Sequence, residues 1–326
     1  MRSENRPGEV GGVKTGTMGA MTDVDPVIAE LEPIAATYVD RHLKAAKEWF
    51  PHEYVPWSRG RDYEPGETFD PNDYPMPDGV RSALLVNLLT EDNLPHYHFT
   101  IASKFGATDA WGEWSRRWTA EEGRHSIVIR DYLLVTRAVD AITLERGRMA
   151  QLEGGQVPDP PCPVEALAYV AMQELATRIS HRNTGKLLED PRGFEVMARV
   201  AQDENLHHIF YRDLVSAALK IDPSRTMIAI DARVRDFAMP GVGIANFDAH
   251  AKAIAREGIY DFKVHHDQIL EPVLMKHWHI RDIEGLNGEG EAARDRIIEH
   301  VERLGKAARR LEERRQREAE KAEQRG

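Results

Sequence analysis

Cysteine is almost missing from this 326-residue sequence: Cys162 stands alone, in the proline-rich stretch 157–163. One thiol closes no disulfide and builds no thiolate metal cluster. That usage fits a reducing cytoplasm. Long apolar runs are missing too. The longest, such as residues 126–130 and 166–172, fall far short of the roughly 20 residues that a membrane helix needs. No signal-peptide pattern is found at the start, because residues 1–20 are glycine-rich and polar with no apolar segment. Residues 1–22 therefore read as a disordered leader. Positive charge is in deficit: the net charge of −11 opposes non-specific nucleic-acid binding, which needs a basic field. Few segments alternate as half-buried strands would. What is present, 41% apolar and 30% charged residues, suits a water-soluble globular chain with one large dry interior.

The periodicity is helical nearly throughout. A first helix is expected from about Asp25 to Trp49, with Asp23 as its N-cap, followed by an ordered loop over residues 50–78. A second helix should run from about Asp78 to Gly106, kinked at Pro95, since proline lacks a backbone donor and crowds the preceding turn. Further helices are expected over Thr108–Asp140, 141–153, Val164–Leu188 and Pro191–Lys220, then near 223–237, 246–257 and 259–278. Residues 23–285 read as one domain and 286–326 as a charged helical tail. Within that tail, Lys306–Gly326 holds 8 Lys or Arg against 5 Glu. A solvated, frayed helix explains that stretch, and a basic element that meets an acidic partner is the functional alternative.

Two segments repeat the pattern Glu-x-x-His: Glu122 with His125, and Glu204 with His207. Residues three apart share a helix face, so each pair can grip one ion. Alone the pattern is weak. Here both pairs interrupt apolar stripes: Trp111, Trp114, Trp118, Glu122, His125, Ile129, Tyr132 in one case, and Met197, Val200, Glu204, His207, Tyr211, Leu214 in the other. A carboxylate facing a core is costly unless it is paired or binds a cation. Each pair is also preceded by a helix with one inward acid. Glu91 follows Leu84 and Leu88, and Glu174 follows Leu167 and Val170. Two halves of equal layout give four Glu and two His inside an all-α, ferritin-like four-helix bundle embedded in a larger helical domain. Carboxylate and imidazole donors without thiolate suit iron, with manganese as an alternative in one or both positions.

Neighbouring residues complete the candidate site. Asp203 and Glu121 each directly precede a ligand candidate, and a ligating His normally gives its outer N–H to a carboxylate. The two-fold layout pairs Asp203 with His125 and Glu121 with His207. Thr177, one turn after Glu174, either donates to oxygen at the metals or bonds back to its own helix.

These segments resemble the soluble acyl-ACP desaturases, plant and, more closely, actinobacterial. The resemblance rests on residues 89–97, 118–125, 173–185 and 203–207 and covers roughly residues 30–280. It implies a di-iron centre held by Glu91, Glu122, His125, Glu174, Glu204 and His207. It places Thr177 at the oxygen site, and Trp49 on an electron route through Asp203 to His125. It further implies O2 as co-substrate, acyl carrier protein as bearer of the acyl chain, ferredoxin or a similar electron donor, and a homodimer. The plant pattern has Asn at Gly123 and Arg at Leu206. Neither position is a ligand, and a glycine inside a helix weakens it slightly.

Three rival readings share parts of the pattern. Iron storage needs only one short bundle, about half this length. A ribonucleotide reductase small subunit normally begins its ligands with Asp and keeps a Tyr one turn past the first His, where this chain has Glu91 and Ile129. A non-catalytic desaturase-like protein that binds acyl-ACP keeps every ligand, so residues alone do not separate it from an enzyme.

Overall fold

The protein is described here from a computed structural model covering residues 24–241 and 243–323. The leader expected over residues 1–22, and Asp23, lie outside them. Among the described residues, the regular elements are all helices. Helix α1 (Pro26–Ala45) is capped by Asp25, whose carboxylate accepts from the Val27 amide at 3.0 Å. It stops short of Trp49, and the stretch expected as loop contains α2 (Pro51–Tyr54) and two 3-10 turns.

The single kinked helix expected over residues 78–106 is in fact two. Helix α3 (Asp78–Glu91) ends on its acid, and α4 (Leu94–Phe105) starts with Pro95 in its first turn. A helix start leaves its first amides unpaired anyway, so the missing proline N–H costs nothing there. The chain breaks at Asp92-Asn93 instead of bending. Next come α5 (Asp109–Val135), α6 (Ala141–Gly154), α7 (Pro163–Leu187), α8 (Pro191–Ile221), α9 (Pro223–Arg235) and α10 (Phe247–Arg256). Asp140, Asp190 and Asp222 cap α6, α8 and α9 by accepting backbone amides. The last expected mid-chain helix is a short α11 (Phe262–His265) that widens into π-type turns over His266–His277. Pro272 lies within these turns, where an α-helical ladder would lose a donor. Helix α12 (Gly288–Glu323) buries Ala293, Ile297, Val301 and Ala308. No described helix is long and apolar enough to cross a membrane.

Helices α3, α5, α7 and α8 pack against one another as a four-helix bundle, with α1 laid along α5 and α8, and α9 and α12 outside. The bundle interior is divided. One apolar cluster takes Trp111, Trp114 and Trp118 from α5 and Phe210, Tyr211 and Leu214 from α8. The other takes Val128, Ile129 and Tyr132 from α5 and Val196, Met197 and Val200 from α8. Between them on each helix come Glu121, Glu122 and His125, or Asp203, Glu204 and His207, all buried. A polar layer thus crosses the core at mid-height.

Close approach of α8 to α5 depends on Gly193, where a Cβ would sit 2.3 Å from the Tyr132 hydroxyl oxygen. That hydroxyl is held between Tyr74 at 2.7 Å and Asp190 at 3.1 Å, so it has nowhere to retreat. Gly193→Ala is expected to destabilise by about 1–3 kcal/mol through overpacking, despite the better helix propensity of alanine. A urea midpoint equal to or above that of the parent chain would contradict this.

Candidate metal centre

Helical spacing turns six donors into one chamber. Glu91 comes from the last turn of α3, Glu122 and His125 from α5, Glu174 from α7, and Glu204 and His207 from α8. Their ligand atoms form two four-residue groups, Glu91–Glu122–His125–Glu204 and Glu122–Glu174–Glu204–His207, each with all ligand atoms within 4.8 Å of one another. Glu122 and Glu204 belong to both groups. Both imidazoles point Nδ1 inward: His125 Nδ1 lies 3.0 Å from Glu122 Oε2 and 3.6 Å from Glu91 Oε2, while His207 Nδ1 lies 2.8 Å from Glu122 Oε1 and 3.6 Å from Glu174 Oε2.

The chemistry of this set fits a pair of cations. Glu122 Oε1, Glu174 Oε2 and His207 Nδ1 are buried without a hydrogen-bond partner, although two of them are 2.8 Å apart. Three potential donor atoms for a metal converge there. Unsatisfied buried acceptors cost free energy, and a shared cation is the group that would satisfy them together. No thiolate takes part.

The outer ring nitrogens meet the two acids anticipated for them. His207 Nε2 is 2.9 Å from Glu121 Oε2. His125 Nε2 faces Asp203 Oδ2 at 3.5 Å, an electrostatic contact rather than a hydrogen bond. Trp49, although beyond α1, donates its indole N–H to Asp203 Oδ2 at 2.7 Å and stacks on His125 with ring centroids 6.5 Å apart. Arg124 and Arg199 bind Asp203 and lie over the Trp49 ring. Thr177 Oγ1 is 3.0 Å from Glu204 Oε2, and 3.0 Å from the Glu174 carbonyl of its own helix, so the hydroxyl bonds back to its helix and also reaches a carboxylate of the chamber. Gly123 has room for a side chain, its Cβ position meeting only Leu94 at 3.9 Å. Packing does not demand glycine there.

Three contacts went unread in the sequence. His42, from α1, lies 2.9 Å from Glu121 Oε2 and repeats on the His207 side the part Trp49 plays on the other. Trp118 donates to Glu174 Oε1 at 3.1 Å. His181 lies 3.0 Å from Glu91 Oε1. His181 follows Glu174 and Thr177 by helical steps, so the stripe contained it. His42 carried no such signal, because its partner is 79 residues away.

Comparison with known proteins agrees with this geometry. A family model described as fatty acid desaturase matches residues 24–325. DesA1 of Mycobacterium tuberculosis, provisionally named an acyl-acyl-carrier-protein desaturase, is 42% identical over 311 residues, covering 92% of this chain and 91% of its own. The chain belongs to the acyl-ACP desaturase family. A chloroplastic stearoyl-acyl-carrier-protein 9-desaturase of Gossypium hirsutum is 30% identical, over 90% of this chain and 78% of its own. Among solved structures, DesA2 of Mycobacterium tuberculosis superposes with a TM-score of 0.64 at 29% identity, covering 79% of this chain and 99% of that one. The fold is thus the ferritin-like, all-α one expected.

Charge in the chamber sets its response to pH. Burial opposes charge on His125 and His207, yet the Glu122 carboxylate beside them lifts both well above the ordinary imidazole range. Burial, then Glu204, pushes Glu174 up likewise. The metal-free chamber therefore holds protons at neutral pH, and a cation has to expel them. Cation uptake should acidify an unbuffered solution and strengthen as pH rises. Uptake without proton release, or weaker uptake at higher pH, would contradict the arrangement.

Proposed function

We propose that this chain is an O2-dependent acyl-ACP desaturase, inserting a cis double bond into a saturated acyl chain at a carboxylate-bridged di-iron centre. The observation that carries this reading is the pair of four-donor groups sharing Glu122 and Glu204 in a buried layer. Four carboxylates and two divalent ions sum to zero charge, which makes burial of the whole set tolerable where the carboxylates alone would repel. Bound there, a redox-active pair would supply, with O2, the oxidising power that removal of two hydrogens from an alkyl chain requires. The residues supply the rest. Glu121, hydrogen-bonded to His207 Nε2, holds that imidazole in one tautomer, and the Asp203 carboxylate faces Nε2 of His125. Trp49 and its two guanidinium neighbours form the electron entry from ferredoxin or a similar donor. Thr177 offers a hydroxyl beside Glu204 for oxygen at the metals. Iron is the preferred metal, with manganese suited to the same donors.

A narrow seam supports the alkyl substrate. It opens beside Glu91, Glu122 and Glu204, where Leu94, Tyr97, Trp118 and Gln173 line it. A second small cavity, which shares Tyr97, Trp118 and Gln173 with the first, lies along α4 and α7 beside Ile101, Phe105, Ala166, Tyr169 and Val170. Joined and widened by an entering chain, these largely apolar walls would hold an acyl tail and exclude water. The acidic carrier protein stays outside, on a basic surface for which the Lys and Arg of residues 306–326, or Arg178 with exposed Arg182, are the candidates. The homodimer and a cytoplasmic location rest on the family resemblance and on cysteine usage.

The deciding experiment incubates iron-loaded protein with a mixed acyl-ACP pool, ferredoxin and reductase, followed by mass spectrometry of the acyl products. Unsaturated product is expected. None across a panel of chain lengths, from protein carrying two irons, would overturn the enzyme reading in favour of a non-catalytic acyl-ACP-binding protein. Glu122→Ala or Glu204→Ala should empty both metal positions, whereas Glu91→Ala or Glu174→Ala should chiefly affect one, counted by elemental analysis. Phe105→Ala, which lengthens the seam, should shift product toward longer chains without changing iron content. An unchanged chain-length profile would place the acyl tail elsewhere.

A further inference from the structure

The two outer carboxylates of the layer are held in matching ways. Glu91 turns Oε2 toward His125 Nδ1 and Glu174 turns Oε2 toward His207 Nδ1, both at 3.6 Å. In each case the other oxygen is met by a ring nitrogen. Trp118 Nε1 is 3.1 Å from Glu174 Oε1, and His181 Nε2 is 3.0 Å from Glu91 Oε1. One oxygen of each acid is hydrogen-bonded and the other faces the imidazole Nδ1 of its side. The two hydrogen bonds differ in kind. An indole N–H only donates, and Trp118 sits among the apolar residues of its cluster. His181 is 1% exposed, its Nδ1 has no hydrogen-bond partner, and its Nε2 also lies 3.7 Å from Oε1 of the shared carboxylate Glu204. It therefore stands between an outer and a shared carboxylate, a position that Trp118 does not have. The corresponding step beyond Glu91 is His98, but the break at Asp92-Asn93 carries it away, to bond Thr119 Oγ1 at 2.7 Å.

We propose that His181 is a positioning residue for the ion on the His125 side. Its Nε2 hydrogen-bonds Oε1 of Glu91 and so fixes the direction in which that carboxylate would present itself to an ion, whereas Glu174 is fixed by an indole, so the two metal positions would be held by different chemistry. This inference rests on the metal-centre reading above. Removing that hydrogen bond lets Glu91 swing, and loss of a hydrogen-bond partner behind a ligand typically costs about 10–100-fold in metal affinity.

The test uses the full-length metal-free chain titrated with Co2+, read by visible absorption, in which each occupied position gives a ligand-field spectrum. His181→Gln keeps an amide N–H long enough to reach Glu91. His181→Asn keeps the amide but falls one bond short. Both retain a buried polar group of similar size, so folding alone does not separate them. The parent chain and His181→Gln should bind two Co2+ with affinities within about threefold of each other. His181→Asn should lose about 10–100-fold at one position only, with a changed spectrum for that ion. In a Glu91→Ala background the Gln and Asn variants should become equivalent, and in a Glu174→Ala background their difference should persist. Equal behaviour of Gln and Asn in the parent background, or a difference that survives Glu91→Ala, overturns the assignment to His181. Failure of the parent chain to take up two ions would instead sink the metal-centre reading itself.

Discussion

Everything in this fold answers to the cost of placing carboxylates where water does not reach. An isolated buried charge costs on the order of several kcal/mol even after relaxation, and four acids meet here in one layer. Such a layer is tolerable only if the acids are satisfied together. Four helices deliver them from four directions, and the apolar stripes above and below remove the solvent that would otherwise do the work. The same stripes that pack the bundle therefore create the demand for a cation and set the distance at which it is met.

The layer is tied to the outside by a second ring of opposite charges. Asp203 is gripped by Arg124 and Arg199, and Glu121 by Arg117 and Arg124. Each of these acids also touches an imidazole that points inward. Arg117 and Arg124 reach partway to the surface, Arg199 is buried, and Trp49 on one flank has its counterpart in His42 on the other. The two flanks are alike in layout and unlike in chemistry. An indole passes no proton at neutral pH, whereas an imidazole can.

Much of this was legible in the residues. Period 3.6 with an interruption by Glu and His told which face was inward, and the near-equal spacing of the two halves told that the interruptions belong together. What periodicity could not convey was any contact between distant helices. His42, far from Glu121 in the chain, and Trp118, taken for packing alone, needed coordinates. The break after Glu91 also escaped, because Pro95 explains a kink as readily as a helix start when only local sequence is seen. Trp49 was recoverable solely from likeness to a family, since nothing in its own neighbourhood distinguishes it from a core aromatic. The π-type turns over His266–His277 had no periodic signature that separates them from an α-helix.

The interruption between α3 and α4 has a consequence for how the two outer acids are held. A carboxylate in the middle of a long helix moves only if the helix moves. Glu174 is embedded deep within α7, whereas Glu91 is the last residue of α3. Beyond Glu91 the backbone is fastened by tertiary contacts, with Asp92 paired to Arg148 at 2.6 Å and Asn93 donating to the Gln156 carbonyl at 3.0 Å. Anchorage that one acid draws from its own helix the other therefore borrows from α6 and the loop after it.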